Sequence, residues 1–308
     1  MEKRTLGKTG YEVSVLGFGA APAAFLDSDK QTAAAMVEAL LDQGVNLIDT
    51  ATSYPGSHEF LGEYLSHRRD DFVLVTKCGG KMPDIDAPDW SERLITHAVE
   101  TALKTLKTDH LDVMLLHTCD LATLKAGEAL GALVKAREAG RVKFIGYSGD
   151  NEAAVWAAGR PEVAVIETSV NIVELNNIDT VLPACLANNV GVLAKRPIAN
   201  ACWRDAAQRK GIYRNYVTSY ADRLATMELK PADLGYDGNP DEAWPSIALR
   251  FTLGQSDVTT AIVGTTNPDN ATKNLRYASE GPLPAGAMDK IRAAFRAADP
   301  SAGWPGLT

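Results

Sequence analysis

Apolar runs with the character of buried β-strands alternate with helix-like segments along almost the whole chain. Runs of consecutive Val, Ile and Leu are typical of parallel strands that are covered on both faces. The sequence predicts eight such strands, over residues 15–19, 46–50, 73–77, 113–117, 144–148, 163–168, 191–196 and 258–263. Eight strand–helix units in 308 residues predict an α/β protein with a closed (β/α)8 barrel, the TIM barrel fold.

The segments between these strands carry apolar residues at helical spacing, as in Leu94, Ala98 and Ala102. Gly44 and Gly140 stand just beyond two of the segments, where a helix commonly ends. The pattern predicts helices over residues 30–42, 58–66, 91–106, 121–139, 152–158, 179–188, 242–253 and 268–277.

Three segments lie outside the repeat. Residues 4–13 contain two short runs separated by a Gly-Lys-Thr-Gly turn, which predicts an N-terminal β-hairpin. Residues 197–240, after the seventh strand, are too long for an ordinary connection and are expected to form a lid or binding loop. Residues 284–298 predict an extra helix, followed by a tail rich in Gly and Pro. Because no linker interrupts the chain, we expect a single domain over residues 1–308.

The composition argues against several classes of protein. A net charge of -8 without a basic block disfavours a nucleic-acid partner. No apolar run approaches the ~18 residues of a membrane span, and the N-terminus lacks a signal-peptide core, so we expect no membrane partner and a cytoplasmic location. The four cysteines are scattered without metal-ligand spacing, so we expect neither a disulfide nor a bound metal.

Polar residues stand at the ends of most of the predicted strands. Taken singly, each has an ordinary structural interpretation, such as a helix cap for Asp49 or a barrel ion pair between Lys77 and Asp49. In a barrel, however, the chemistry lies at the carboxyl ends of the strands, and the joint placement favours a functional site. The residues at these ends are Asp49, Lys77, His117, Ser148, Glu167, Arg196 and Gly264.

Tyr54 follows the second strand by a few residues and adds a candidate proton donor. A tyrosine hydroxyl has an unperturbed pKa of about 10, so it needs a nearby cation to act as a general acid near neutrality. Lys77 supplies that cation. The sequence therefore predicts a proton-donating site at the end of the barrel.

Sites of other classes are only partly matched. Residues 17–22 begin like a dinucleotide-binding fingerprint, but Pro22 stands where the third glycine is required. Residues 146–150 approach a nucleophile elbow, but Asp150 replaces the closing glycine. Only one of the five histidines ends a predicted strand, which argues against a metal-dependent hydrolase.

Eight segments resemble the aldo-keto reductase superfamily and together extend over nearly the whole chain. They are LGFGAAP (16–22), GVNLIDTATSY (44–54), EFLGEYL (59–65), LVTKC (74–78), LDVMLLHTCD (111–120), FIGYSGD (144–150), GVLAKRP (191–197) and IVGTTNPDNATKNL (262–275). The resemblance implies a nicotinamide-dependent carbonyl reductase whose catalytic tetrad is Asp49, Tyr54, Lys77 and His117.

The tetrad residues allow the chemistry that the resemblance implies. Tyr54 would protonate the alkoxide that forms as hydride attacks a carbonyl carbon, and Lys77, held by Asp49, would stabilise the tyrosinate. His117 would orient and polarise the carbonyl by a hydrogen bond.

The resemblance also implies cofactor contacts, with departures from the family pattern. Ser148 matches the first residue of a Ser-Asn pair on the fifth strand, but Gly149 replaces the Asn. Glu167 stands where Gln is common and is expected to accept the amide N–H of the nicotinamide. The seventh strand contributes Lys195, Arg196 and Pro197, and the Arg196 guanidinium is expected to stack where an aromatic ring is usual.

The segment after the eighth strand bears on whether the chain prefers NADP or NAD, because the 2′-phosphate of NADP is commonly bound by Arg or Lys. Gly264 and Asn270 occupy positions where many relatives have basic residues, and Lys273 stands nearby. Family habit nevertheless favours NADPH, with NADH as the alternative. The cofactor residues expected here are Gly264, Thr265, Thr266, Asn270 and Asn274.

The expected partner is a small carbonyl substrate, and Phe25, Trp90 and Trp203 are the candidate contacts. Four basic residues of the long loop either bind an anionic group or form a solvated face: Arg204, Arg209, Lys210 and Arg214. Two alternatives stay open at this point, a sugar or polyol dehydrogenase that works in the oxidative direction and a cofactor-binding regulatory or scaffold barrel.

Overall fold

Eight parallel strands close into a barrel in the computed structural model, which describes residues 1–22, 29–205 and 217–307. An antiparallel pair precedes them, with Arg4 opposite Val13. The predicted barrel and N-terminal hairpin are therefore confirmed. The strands are β1 (Lys3–Thr5), β2 (Glu12–Ser14), β3 (Leu16–Gly19), β4 (Leu47–Asp49), β5 (Val73–Cys78), β6 (Leu111–His117), β7 (Val142–Ser148), β8 (Val163–Ser169), β9 (Gly191–Lys195) and β10 (Thr260–Val263).

Helices connect the barrel strands and extend the chain beyond them. They are α1 (Lys30–Asp42), α2 (Ser57–Tyr64), α3 (Glu92–Leu106), α4 (Leu121–Ala126), α5 (Glu128–Glu138), α6 (Asn151–Ala158), α7 (Asn176–Ala187), α8 (Thr218–Thr226), α9 (Pro240–Leu253), α10 (Pro268–Ser279) and α11 (Ala285–Ala298). Short 3-10 helices cover Gly7–Thr9, Ser66–Asp71, Ala199–Ala201 and Pro231–Leu234. Among the described residues, no helix is long and apolar enough to cross a membrane.

The prediction of one helix over residues 121–139 is wrong, because Gly127 divides it into α4 and α5. Gly127 has a φ of 81°, whereas a helical backbone needs a negative φ. The residue both ends α4 and caps the start of α5. Glycine adopts this conformation without the Cβ clash that other residues incur.

The hairpin covers the amino-terminal end of the barrel. Its residues Leu6 and Val13 are fully buried and join an apolar cluster with strand residues. The amide of Lys8 donates to the carbonyl of Asn189, two residues before β9 begins. The strand residues of this cluster are Leu47, Val73, Val75, Val113, Leu115, Ala164, Val165, Leu193 and Ile262. With this end filled by apolar side chains, polar chemistry is left to the carboxyl ends of the strands.

Candidate active site

A layer of ionisable side chains lies next to the apolar cluster, on the side of the carboxyl ends of the barrel strands. Successive side chains of a strand point to opposite faces, so residues two apart share a face. Asp49, Lys77 and Glu167 each lie two positions beyond a member of the apolar cluster, on β4, β5 and β8 respectively. His117 and Lys195 have the same relation to the cluster on β6 and β9. The strand periodicity therefore delivers all five to one end of the barrel.

Lys77 lies at the centre of this layer, and its side chain has no exposed surface. Its ammonium group bonds the carboxylate of Asp49 and donates to the carbonyl oxygen of Thr50 at 3.1 Å. The Nζ atom also lies 3.1 Å from Oε2 of Glu167. The lysine thus contacts two buried carboxylates, one from each side of the barrel.

The two carboxylates keep Lys77 protonated. Burial alone would lower the pKa of Lys77, but the negative charges of Asp49 and Glu167 outweigh burial and raise it. Burial and the neighbouring charge of Glu167 together raise the pKa of the Asp49 carboxyl well above its usual range. A charged lysine in a water-poor site exerts a strong field on groups near it.

Tyr54 lies within reach of that field. The Lys77 Nζ atom is 5.5 Å from the centroid of the Tyr54 ring. The turn that carries the tyrosine is fixed to β5, since the Thr52 amide donates to the carbonyl of Lys77 at 3.0 Å. The amide of Tyr54 in turn donates to Ala51 at 3.1 Å. The loop after β4 therefore holds the phenol ring over the end of β5.

His117 packs edge-on against Tyr54, with ring centroids 5.9 Å apart and planes at 84°. Burial, with the nearby charges of Lys77, Lys195 and Arg196, lowers the pKa of His117 to about 3. The imidazole is therefore neutral near pH 7. Its Nδ1 lies 3.3 Å from the hydroxyl of Ser53. If that hydroxyl donates to Nδ1, the proton stays on Nε2 and is available to a carbonyl oxygen.

Ser148 and Gly149 lie beside Glu167 at the end of β7. The Ser148 hydroxyl donates to Glu167 Oε1 at 3.4 Å, and the Gly149 amide donates to the Glu167 carbonyl at 3.0 Å. A Cβ atom on Gly149 would lie 2.4 Å from the hydroxyl oxygen of Tyr147. That hydroxyl donates to the carbonyl of Cys119 at 2.7 Å. The packing of Tyr147 thus accounts for the glycine at this position.

Lys195 pairs with Asp150 at 3.1 Å. Burial would raise the pKa of Asp150, but Lys195 and hydrogen bonds from the Ser169 amide and the Thr168 hydroxyl outweigh it and lower the pKa to about 2. In the sequence, Asp150 only closes the FIGYSGD segment and interrupts the near match to a nucleophile elbow, and neither feature indicates a partner for Lys195. The aspartate fixes the ammonium group of Lys195 near the mouth of the barrel.

Arg196 follows with a φ of 57° and lies 3.4 Å from the hydroxyl of Tyr220 on α8. Tyr220 also bonds the buried carboxylate of Glu174, which accepts the amide of Leu307 in the C-terminal tail at 2.7 Å. The carbonyl of Pro197 accepts from the Thr252 hydroxyl. Sequence reasoning missed Glu174 and the role of Tyr220, because no local motif marks a buried partner supplied by a distant loop.

The segment after β10 leads into the amino terminus of α10. Gly264 packs closely here, since a Cβ would lie 2.7 Å from the carbonyl oxygen of Gly19. Asn267 caps the helix by accepting from the amides of Asp269 and Asn270. Thr265, Thr266 and Asn270 are half-buried, and Asn274 is buried. An amino-terminal helix end with neighbouring hydroxyl groups is suited to a phosphate.

Three buried nitrogen donors near the ends of β8 and β9 bear on whether a cofactor fits. They are Asn171 Nδ2, Asn200 Nδ2 and Trp203 Nε1, and none has a hydrogen-bond partner among the residues that the structure describes. Buried donors are nearly always paired in proteins. These three donors at the barrel mouth could bind a ligand with many acceptor oxygens, such as a nicotinamide dinucleotide.

Two of the three candidate substrate residues lie near the mouth. The Trp90 ring packs on Gly79, just after β5, where a Cβ would lie 1.9 Å from the ring. Trp203 stacks on Trp244 with centroids 6.0 Å apart. Phe25 lies outside the described residues. So do three of the basic loop residues, Arg209, Lys210 and Arg214.

A family model described as "Aldo/keto reductase family" matches residues 15–296. The chain is 24% identical over 294 residues to L-galactose dehydrogenase of Arabidopsis thaliana, with 91% of this chain and 89% of the relative covered. It is 27% identical over 313 residues to D-threo-aldose 1-dehydrogenase of Pseudomonas sp., covering 92% and 94%. An aldo-keto reductase from Bacillus halodurans, solved in a holo form, superposes with a TM-score of 0.78 at 25% identity and 96% coverage of both chains.

Proposed function

This chain belongs to the aldo/keto reductase family, and we propose that it is an NAD(P)H-dependent oxidoreductase that reduces aldehydes or ketones to alcohols. One observation carries the proposal: a phenol ring stands 5.5 Å from a buried ammonium group and 5.9 Å from a neutral imidazole. These groups are a proton donor, the cation that activates it and a hydrogen-bond donor for the substrate.

The bound cofactor would supply hydride to the carbonyl carbon. Tyr54 gives its proton to the carbonyl oxygen as negative charge develops there, and Lys77 stabilises the tyrosinate that remains. Asp49 holds the ammonium group of Lys77 in place. His117 donates from Nε2 to the same oxygen, which orients the carbonyl before the transfer.

We assign the cofactor to the carboxyl-terminal end of the barrel, with all 308 residues acting as one domain. The expected residues for the nicotinamide end are Ser148, Gly149, Glu167, Lys195, Arg196 and Pro197. Those for the adenosine end are Gly264, Thr265, Thr266, Asn270 and Asn274. Three buried donors without partners in the described chain support an acceptor-rich ligand at this place. NADPH is the expected form and NADH the alternative, with Phe25, Trp90 and Trp203 proposed to contact the carbonyl substrate.

Oxidation of an aldose is the second candidate function. It is favoured by the names of two relatives, L-galactose dehydrogenase and D-threo-aldose 1-dehydrogenase. The same site serves this direction, since tyrosinate at Tyr54 would accept the hydroxyl proton while the oxidised cofactor, NADP or NAD, would accept hydride from the carbinol carbon.

Initial rates with NADPH and NADH across aromatic, aliphatic and sugar carbonyls test the proposal. We expect cofactor oxidation with at least one carbonyl class. The reverse assay with aldoses and NADP or NAD measures the second candidate. Tight cofactor binding without turnover in either direction would contradict both and favour a scaffold barrel.

A further inference from the structure

We propose that Glu167 is a positioning residue that acts on Tyr54 through Lys77, and that it thereby sets the pH range in which the site transfers protons. This inference rests on the proposed function for its kinetic consequence. The predicted effect on Tyr54 ionisation does not depend on that function, because it follows from the positions of Glu167, Lys77 and Tyr54.

Glu167 reaches Lys77 across the barrel. In the closed order of eight strands, β8 is four places from β4, so Glu167 and Asp49 approach from opposite walls. The ammonium group of Lys77 contacts both, bonded to Asp49 and 3.1 Å from Glu167 Oε2. The three side chains are at most 7% exposed, so water does little to screen their charges.

The charge of this cluster depends on Glu167. In the alkaline range where Tyr54 ionises, one ammonium with one ionised carboxylate leaves no net charge, whereas one ammonium with two ionised carboxylates leaves one negative charge. That extra charge opposes the field that Lys77 exerts on Tyr54, 5.5 Å away. A second carboxylate on the lysine therefore makes tyrosinate harder to form.

Other charged or titratable groups near the cluster, within the described part of the chain, are paired or neutral. His58 bonds the Thr76 hydroxyl at 2.8 Å, and burial together with the charge of Lys77 lowers its pKa to about 4. His117 is neutral for the same reasons. Lys195 pairs with Asp150, and Arg196 bonds Tyr220. Among the residues that the structure describes, Glu167 and Asp49 are therefore the carboxylates that contact Lys77, and replacing Glu167 changes the charge there while keeping the Asp49 bond.

The consequence for the reaction has opposite signs in the two directions. Carbonyl reduction needs protonated Tyr54, so Glu167 extends activity to higher pH. Alcohol oxidation needs tyrosinate, so Glu167 delays its onset to higher pH. A chain with a neutral amide at this position would reduce carbonyls over a narrower range on the alkaline side.

The test is the near-isosteric variant Glu167→Gln, with Tyr54 ionisation read directly. Tyrosinate absorbance is followed against pH for each protein and for its matched Tyr54→Phe partner, and the difference isolates Tyr54 from the other tyrosines. We expect Glu167→Gln to move the Tyr54 titration to lower pH by about 1 pH unit. The alkaline limb of kcat/KM for reduction should move in the same direction.

Glu174→Gln is the matched control, because Glu174 is an equally buried glutamate whose carboxylate bonds Tyr220 and the Leu307 amide rather than Lys77. We expect it to leave the Tyr54 titration in place. An unchanged Tyr54 titration in folded Glu167→Gln would overturn the proposal. The same holds if the variant also binds the cofactor more weakly, because Glu167 would then contact the nicotinamide amide without acting on Tyr54.

Two further measurements keep the result interpretable. If Glu167→Gln fails to fold, Glu167→Asp is used instead, because it draws the carboxylate back from Lys77 by one methylene. We expect the Tyr54 titration to move to lower pH by a smaller amount. A titration that stays in place in Glu167→Asp would overturn the proposal. Absence of activity in the unmodified protein would contradict the proposed function. It would not decide the proposal on Glu167, because the absorbance titration of Tyr54 needs no turnover.

Discussion

Replacing Tyr54 with Phe is expected to lower kcat for carbonyl reduction by about 10²- to 10⁴-fold, the usual contribution of a positioned general acid. The substitution removes the hydroxyl alone and keeps the ring that packs edge-on against His117. Binding of the cofactor should change little, because the lost oxygen acts on the substrate. Steady-state rates and fluorescence titration with NADPH measure the two effects separately.

Tyr64→Phe is the matched control for this substitution. Tyr64 is a half-buried residue at the end of α2 that packs on Phe60, with ring centroids 5.6 Å apart. We expect its rate to match that of the unmodified protein. Turnover retained in Tyr54→Phe would show that the proton comes from another group.

Replacing Lys77 with Met is expected to abolish most turnover and also to destabilise the fold. Met has a similar length but leaves Asp49 and Glu167 buried without their cation. Removing one partner of a buried ion pair typically costs about 3 to 5 kcal/mol of unfolding free energy. Urea unfolding at pH 8 measures this loss.

The destabilisation should depend on pH with a definite sign. Without Lys77, burial raises the pKa of the Asp49 carboxyl in the folded state above its value in the unfolded chain. The folded state then holds protons that the unfolded state releases, so the variant loses stability as the pH rises from 5 to 8. Adding Glu167→Gln to Lys77→Met should restore part of the loss at pH 8. Equal stability of Lys77→Met and the unmodified protein at pH 8 would contradict the buried-charge account.

The architecture was predictable because each barrel strand has a recognisable apolar pattern in its own sequence. Residues 113–116 and 163–166 are apolar at consecutive positions, and the observed strands differ from the predicted ones by only a few residues at their ends. The division of residues 121–139 at Gly127 was missed, since a single glycine within a helical pattern does not reveal its φ. Helix α8 was missed because it lies in the long segment after the seventh strand, outside the repeat.

The site was predictable to the extent that strand ends determine it. Asp49, Lys77 and His117 come together because the barrel gathers the carboxyl ends of its strands. The contact between Glu167 and Lys77 was not predictable, because it depends on which side chains meet across the interior. The expectation that Glu167 accepts the nicotinamide amide stays a prediction beside it. Asp150 and Glu174 were hidden for the same reason, as partners of Lys195 and Tyr220 that only the tertiary structure supplies.

Transfer of deuterium from NADPH or NADH that carries deuterium at both C4 positions of the nicotinamide tests whether the protein moves hydride to a carbonyl carbon. The protein is incubated with the labelled cofactor and a carbonyl that supports turnover, and the alcohol is analysed by mass spectrometry. We expect one deuterium on the carbinol carbon of the product. Product without deuterium, or no product from any carbonyl with either labelled cofactor, would contradict this expectation.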